Sequence, residues 1–490
     1  MFSQRSYSFK NFLLTVAIPI IAFWILVFLL GYPLPSLDDI FFTGAAINLS
    51  KGGEFTNPYL EAWNSVLSSG KFYYQPPFYS YTLAGWLKIA GINTTSLRLF
   101  QYLCYATFSL SSALLLRFYG FPRITAFCVT VLFALWHCNP NPFYSTGFRH
   151  DALGMAFLAL GLWLLAQDNW WRYFLGFSFI GSAVFTSPIT SAYGFSFGLA
   201  ILAINVIYRG GINKIDSKYI LLRTLALLAA SGLVFTLFLL CINFELKTFI
   251  SDFVLTASWR KAANINGIII FFQMISRAFG IVLNVPSYLL FLAITVILFR
   301  KRHLIPMYLK ILFFGLTMGM ILNMFLYAFA WGFNFFFCWV GIVCIVSLIG
   351  KSKLRLYAVI GTFIIYLSSQ TLNIISLVGR EDVPKSKYEE IKEAVLAKPN
   401  RKYAIDSVSA RFVFDYNLPK NSIDWLYMKP APAGIPDSLK DKKPDVSWIV
   451  SRSNLSKFIP EMQLDYPRVK FMGQKFDSLP KKPFDIILIP

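Results

Sequence analysis

The chain has 490 residues, of which 56% are hydrophobic and only 14% are charged. Soluble globular domains contain about 25% charged residues, so the composition excludes an ordinary soluble protein. The net charge of +21 would favour nucleic-acid binding in a soluble protein, but the sequence has no basic helix with base-reading residues, and we expect no nucleic-acid partner. Apolar runs of about 17–25 residues recur along most of the chain and predict a multi-span membrane protein, with its basic residues in cytoplasmic loops and against anionic lipids.

The six cysteines and three histidines form no recognisable metal or disulfide pattern. Nearly all the cysteines lie in apolar runs and none shows CxxC spacing, so we interpret them as buried hydrophobic residues. The sequence also lacks a P-loop, a dinucleotide fingerprint, HExxH and GxSxG. We therefore expect no cofactor and no metal site of these residue types, while a need for a divalent metal is left open.

The first predicted span covers about residues 11–31, and Arg5 and Lys10 before it indicate a cytoplasmic N-terminus. Residues 32–97 then form a long, aromatic external loop, in which we expect helices lying at the membrane interface, beginning with the run Ile40–Leu49. The following spans are predicted over about residues 98–116, 124–136 and 152–166, on either side of Thr186-Ser187-Pro188, and in a seventh segment ending near Asn243.

About 35 external residues follow the seventh span and are hydrophobic enough to lie on the membrane surface. Four more predicted spans bring the total to about eleven, the last ending near Ile375. Under this count, every strong Lys/Arg cluster between spans falls on one side of the membrane, as the positive-inside rule expects. We therefore predict a multi-pass protein of the plasma membrane, or of the inner membrane of a bacterium.

The composition becomes polar and Lys-rich near Gly379, with no further span. Residues 387–397 predict a helix, and the segments at 402–405, 446–450 and 484–489 predict strands. We therefore predict two domains, a mainly α-helical membrane module over residues 1–376 and a small α/β domain over residues 377–490. The second domain is expected to be extracytoplasmic because the number of predicted spans is odd.

Two adjacent carboxylates, Asp38 and Asp39, come directly after the first predicted span. An aspartate at a helix start accepts backbone N–H bonds and suits the helix dipole, so capping explains one of them. A second acid in an apolar setting at the membrane is costly without a partner or a role. We therefore favour a catalytic pair, in which a carboxylate acts as general base towards an acceptor hydroxyl.

Arg149 and Asp151 lie at the external start of a later span. Capping by Asp151 and snorkelling of Arg149 explain them as well as a functional role does. In the functional alternative, Arg149 meets a phosphate or pairs with the two acids after the first span.

The external loop also carries Tyr73-Tyr74-Gln75-Pro76-Pro77. A rigid turn alone explains the prolines, and an interfacial aromatic belt explains Tyr73 and Tyr74 as well as a sugar-binding platform does. External basic residues near the membrane bind either lipid headgroups or the phosphate of a lipid substrate. These residues are Lys71, Arg260, Lys261 and Arg277.

Together these motifs resemble a family of membrane enzymes. Asp38-Asp39, Gly52-Gly53 and Gln75-Pro76-Pro77-Phe78 resemble the first external loop of GT-C glycosyltransferases, in particular the protein O-mannosyltransferases and the bacterial aminoarabinose transferases of lipid A. Arg149-His150-Asp151-Ala152-Leu153 is similar to a second segment of that family. The resemblance covers roughly residues 30–165 and is loose beyond them.

The resemblance implies the GT-C fold and a polyprenyl-phosphate sugar as donor, with Asp38, the first acid after the first span, as catalytic base. Asp39 stands where the family usually has Glu. Gln75 stands where a basic residue often touches the donor phosphate, so Lys71 is the candidate substitute. The full set of expected donor-binding residues is Lys71, Gln75, Arg149, Asp151, Arg260, Lys261 and Arg277.

We therefore expect an integral-membrane glycosyltransferase that transfers a sugar, with inversion, to an extracytoplasmic hydroxyl of a lipid, glycan or protein. Its expected partners are the lipid-linked donor, membrane lipids and the acceptor. One alternative is a lipid-linked glycan transporter or flippase, which would need charges inside spans or inverted repeats. Another is a non-catalytic, glycolipid-binding member of the same fold.

Overall fold

The computed structural model describes most of the first 262 residues and shorter stretches after them. The described ranges are 9–29, 39–60, 67–137, 148–167, 169–209, 217–262, 307–326, 337, 340–344, 357, 360–361, 364, 393, 396–398, 401, 403–405, 422–424, 447–451, 470–471, 474–475 and 486–489. Within these ranges the protein is mainly helical, as predicted.

The helices are numbered here in chain order. A first helical segment contains α1 (Phe9–Phe12), a π-helical turn (Leu13–Ala17) and α2 (Ile18–Leu29). The next helices are α3 (Asp39–Ser50), α4 (Phe78–Ala90), α5 (Thr94–Phe118), α6 (Arg123–His137) and α7 (Asp151–Leu165). The later helices are α8 (Trp170–Val184), α9 (Pro188–Arg209), α10 (Ser217–Cys241), α11 (Leu246–Ala262) and α12 (Met307–Leu326).

Two of the described helices are long and apolar enough to cross a membrane. They are α5 and the Leu221–Cys241 part of α10. A hydrophobic helix of 18 or more residues with few charges is a candidate span. This finding supports membrane association, and the count of about eleven spans stays a prediction.

The helices match the predicted segments with small shifts. The spans predicted over residues 98–116, 124–136 and 152–166 correspond to α5, α6 and α7, and the predicted run Ile40–Leu49 corresponds to α3. The eighth predicted span lies outside the described residues, as does most of the helix predicted over residues 387–397.

Local sequence explains how α4 ends and α5 begins. Gly91 has φ of 80°, a left-handed conformation that glycine adopts without a steric penalty, and it ends α4. Asn93 then caps α5, because its side-chain oxygen accepts a hydrogen bond of 2.7 Å from the backbone N–H of Ser96. The Trp86 indole donates to the Ser96 carbonyl at 2.9 Å and fixes the angle between the two helices.

Glycines allow two aromatic side chains to sit between α9 and α12. A Cβ added at Gly319 would lie 2.3 Å from the ring of Tyr193, and one added at Gly315 would lie 2.3 Å from the ring of Phe197. Gly315 and Gly319 are four residues apart on α12, and Tyr193 and Phe197 are four residues apart on α9. The two rings therefore fill two notches on one face of α12. Small residues four apart are a common way for membrane helices to approach closely.

Four short strands form one sheet after the helical part of the chain. β1 (Tyr403–Ile405) lies between β2 (Ser422–Asp424) and β3 (Ser447–Ser451) and is parallel to both. β6 (Ile486–Ile489) pairs with β3 in the antiparallel direction, and β4 (Lys470–Phe471) and β5 (Gln474–Lys475) form a separate pair. The three predicted strand segments coincide with β1, β3 and β6, while the domain boundary near residue 377 stays a prediction.

We expect Gly319→Ala to destabilise the protein by about 1–3 kcal/mol, because the new methyl group overlaps the buried ring of Tyr193. Thermal unfolding in detergent measures the change. Gly232→Ala is the matched control, because a Cβ there meets nothing within 4 Å and alanine favours a helix interior by about 0.5–1 kcal/mol. Equal unfolding temperatures for the two variants would contradict the close packing of the Tyr193 ring against Gly319.

Candidate functional site

Asp39, one of the two predicted acids, begins α3 and is fully buried at 0% exposure. Its Oδ1 accepts a hydrogen bond of 2.8 Å from the backbone N–H of Phe148, 109 residues further along the chain. Its own carbonyl accepts a bond of 2.6 Å from the hydroxyl of Thr43, one helical turn later. The carboxylate therefore joins the start of α3 to the segment that precedes α7.

Asp151 is a second fully buried carboxylate, at the first residue of α7. Its Oδ2 accepts a bond of 3.0 Å from Nε of Arg149, and its Oδ1 accepts a bond of 2.7 Å from the hydroxyl of Ser187. The Nε2 atom of His150 lies 3.4 Å from the same Oδ1. Ser187 directly precedes α9, so Asp151 connects the starts of two helices.

Aromatic rings pack against this group of polar residues. The ring of Phe42 lies 4.4 Å from the ring of His150 and 4.8 Å from the guanidinium carbon of Arg149. At that distance the guanidinium gains cation–π stabilisation. The Tyr79 hydroxyl donates to the Phe148 carbonyl at 2.5 Å. Burial raises the pKa of Tyr79 well above its usual value, with smaller contributions from Cys104, Asp39 and Asp151, so Tyr79 stays a neutral donor.

We call Asp39, Arg149, His150, Asp151 and Ser187 the carboxylate cluster. The side-chain amide of Gln101 on α5 extends it by donating to the Arg149 carbonyl at 2.9 Å. Asp39, His150 and Asp151 are buried, whereas the Arg149 side chain is 20% exposed. A partly exposed guanidinium held by a buried carboxylate presents a cation of fixed position, which suits recognition of an anion such as phosphate.

A second group of contacts holds the loop before α4. Lys71 Nζ pairs with Glu245 Oε1 at 2.5 Å, and the Tyr73 hydroxyl donates to Glu245 Oε2 at 3.0 Å. The hydrogen bond from Lys71 lowers the pKa of Glu245 below its usual value, and the bond from Tyr73 acts in the same direction. Glu245 therefore stays ionised near neutral pH and keeps Lys71 beside it.

Asp252 on α11 holds the same loop from its other side. Asp252 Oδ1 accepts a hydrogen bond of 3.1 Å from the backbone N–H of Ser68 and one of 2.8 Å from the Ser68 hydroxyl. Asp252 Oδ2 accepts a hydrogen bond of 3.2 Å from the backbone N–H of Ser69 and one of 2.6 Å from the Ser69 hydroxyl. Asp252 is 1% exposed, so these four bonds replace the water that a carboxylate would otherwise bind.

The structure brings several predicted site residues together and leaves others apart. Arg149 pairs with Asp151 and Lys71 with Glu245, so these two of the predicted phosphate-binding cations already have carboxylate partners. Tyr73 and Tyr74 are fully buried among Phe41, Phe55, Phe72 and Phe249, rather than lying on an exposed platform.

Gln75 is 6% exposed, and its buried Oε1 has no hydrogen-bond partner among the described residues. Asp38 and Arg277 lie outside the described residues. Arg260 and Lys261 lie on α11, but their side chains are not among those described. Within the described ranges, no group of three His, Cys, Asp or Glu residues could hold a metal ion.

Sequence reasoning missed Ser187, Glu245 and Asp252. Ser187 lies before a proline at a helix start, where a hydroxyl usually caps its own helix, so no sequence pattern indicated its bond to Asp151. For Asp252 the sequence did contain a signal, because an isolated acid between Phe249 and Phe253 would be costly without a partner.

We expect Asp39→Ala to destabilise the protein by about 1–3 kcal/mol, because the Phe148 N–H is left buried without its acceptor. Asp39→Asn keeps an acceptor oxygen and should cost less. Chemical unfolding in mixed micelles measures both, with Glu54→Ala, at an exposed acid, as the control. If Asp39→Ala unfolds like the control, the bond to Phe148 does not support the cluster.

No protein-family model matches the chain, and no match was found among curated proteins. The functional conclusion therefore depends on the resemblance of its motifs and on the geometry of the carboxylate cluster.

Proposed function

We propose that the protein is an integral-membrane glycosyltransferase of the GT-C type, which transfers a sugar from a polyprenyl-phosphate donor to an extracytoplasmic hydroxyl. The observation that carries the proposal is the hydrogen bond between Asp39 and the Phe148 N–H. It joins the two sequence segments that separately resemble this family, the acids after the first span and the Arg149-His150-Asp151 motif. Two motifs that serve one reaction need to lie together in space, and these do.

In the proposed reaction, the carboxylate of Asp38 removes the proton of the acceptor hydroxyl while the oxygen attacks the anomeric carbon. The bond from that carbon to the phosphate oxygen breaks, and the lipid phosphate leaves as an anion. The displacement is single, so the configuration of the anomeric carbon inverts. No general acid is needed, because a phosphate is a stable leaving group.

The role of Asp39 differs from that of Asp38 in this proposal. Asp39 is buried and already accepts a backbone hydrogen bond, so it positions the start of α3. Arg149 is partly exposed and held by Asp151, which suits it to stabilise the charge that develops on the departing phosphate. Arg260, Lys261 and Arg277 remain further proposed contacts of the lipid phosphate.

The membrane helices are proposed to orient the lipid donor relative to the acceptor. Fixing two reactants in a reactive geometry supplies a large part of the rate enhancement in many enzymes. This role is supported by the apolar character of α5 and α10, which are long enough to cross the bilayer.

We expect Asp38→Asn to reduce sugar transfer by about 10²–10⁴-fold, the usual loss when a general base is removed. Asparagine caps a helix about as well as aspartate, so a capping role would survive this change. The assay is transfer from a polyprenyl-phosphate sugar by purified protein in nanodiscs, with donor binding measured separately.

Asp39→Asn is the matched control for Asp38→Asn, because it changes the adjacent acid in the same way and should cost less activity. A folded Asp38→Asn protein that binds donor and transfers sugar at the normal rate would contradict the catalytic assignment. Donor binding without transfer by the unaltered protein would instead favour the non-catalytic alternative.

The proposed topology of about eleven spans places the tail and the loop near Lys214 on opposite sides of the membrane. Reporter fusions after Pro490 and at Lys214 should therefore give opposite signals, external for Pro490 and cytoplasmic for Lys214. Signals from the same side would overturn the count of spans.

A further inference from the structure

Helix α11 has one buried side and one exposed side. The inner face carries Phe249, Asp252 and Thr256, which are all buried. On the outer side, Ile250, Val254 and Leu255 are 51%, 58% and 37% exposed. Apolar side chains exposed next to one another on a helix mark an interaction surface more often than isolated ones do.

The corner before α11 adds an exposed aromatic residue in a strained conformation. Phe244 has φ of 61° and is 63% exposed, and the preceding Asn243 has φ of 53°. A bulky residue with positive φ is an outlier, and such strain persists where the surrounding structure imposes it. A bond of 2.8 Å from the Phe244 N–H to the Leu239 carbonyl holds the backbone of this corner, and the Phe244 side chain is exposed.

The exposed apolar surface continues from α11 onto a helix that can cross a membrane. Leu233, Leu237 and Leu240 on α10 are 44%, 44% and 53% exposed, and α10 ends only a few residues before Phe244. Lys247, at the start of α11, is also exposed. A cation beside exposed apolar residues at the end of a span matches the surface of a bilayer with anionic lipids.

We propose that Phe244 and the outer side of α11 insert into the bilayer surface, and that α11 thereby positions the loop of residues 68–75. The link between the two is the pair of acids described above. Asp252 holds Ser68 and Ser69, and Glu245 holds Lys71 and Tyr73. Contact with lipid fixes α11, and α11 fixes the loop that carries Gln75 and leads into α4.

This inference rests on the proposed membrane location but not on sugar transfer. Its readouts are lipid contact and backbone protection, neither of which requires a donor or an acceptor. Failure of the glycosyltransferase assay would therefore leave it standing, and its own failure would leave the role of Asp38 untouched.

The first experiment places the photoreactive amino acid p-benzoylphenylalanine at Phe244 or Ile250 in the full chain, in nanodiscs of phosphatidylcholine and phosphatidylglycerol. Position 244 suits the probe, because the probe is a phenylalanine derivative with an added benzoyl group and Phe244 is 63% exposed. After irradiation, mass spectrometry should find lipid adducts at both positions. Leu396 is the matched control, since it is apolar and 59% exposed but lies in the polar C-terminal region, and it should give none.

The adduct identifies what covers the outer side of α11. Lipid adducts at positions 244 and 250 support the proposal. A covalent dimer would show that a second copy of the chain covers this surface, and no adduct would show that it faces water. Either of the last two results overturns the membrane contact.

The second experiment measures amide hydrogen exchange at Ser68 and Ser69, whose N–H groups bond to Asp252. The double variant Ile250→Asn, Val254→Asn changes only exposed side chains, so the fold should persist, and exchange at both serines should rise roughly tenfold in nanodiscs. Asp252→Asn should raise exchange at the same amides while leaving the lipid adduct at position 250 intact. The Phe148 amide, which bonds to Asp39, is the internal control and should not change.

Unchanged exchange at Ser68 and Ser69 in the double variant would overturn the coupling between lipid contact and the loop. Faster exchange at Phe148 as well would mean general loosening of the fold and would count against the specific link. Faster exchange at the two serines alone supports it.

Discussion

The structure around the candidate site depends on burying carboxylates inside a largely apolar chain. Asp39, Asp151 and Asp252 are each at most 1% exposed. Removing a carboxylate from water costs several kcal/mol unless hydrogen bonds and opposite charges replace the lost water. Each of these acids receives such bonds from a distant part of the chain, namely from Phe148, from Ser187 and from Ser68 with Ser69. The acids therefore determine which segments must pack together.

The same constraint explains why the cluster includes a serine and an arginine. A carboxylate oxygen can accept more than one hydrogen bond, and a single donor would leave Asp151 under-compensated. Arg149 supplies charge and Ser187 supplies a short neutral bond, so the two oxygens of Asp151 are both engaged. The arrangement also holds the Arg149 guanidinium against the ring of Phe42.

Much of the local structure could be predicted from the sequence, because it follows from short-range patterns. Apolar runs of helical length predicted α5, α6 and α7 with small shifts at their ends, and β-branched and aromatic runs predicted β1, β3 and β6. Arg149 and Asp151 were singled out together because they are two residues apart at the start of a predicted span, but the salt bridge between them was not predicted. The partner of Asp252 was missed because Ser68 lies 184 residues away and no local pattern encodes that contact.

Tyr73 and Tyr74 show why composition alone leaves the function of a residue open. An aromatic cluster near a membrane looks the same in sequence whether it forms an interfacial belt, a sugar platform or a core. Here both rings are fully buried, and the Tyr73 hydroxyl contacts Glu245. The pKa of Glu245 is lower in the folded protein than in the unfolded chain, so its interactions with Lys71 and Tyr73 stabilise the fold at pH values above the unfolded pKa. This stabilisation is lost as the pH falls through the folded pKa. Near neutral pH Glu245 therefore stays paired with Lys71, and protonation of Glu245 would remove that ion pair.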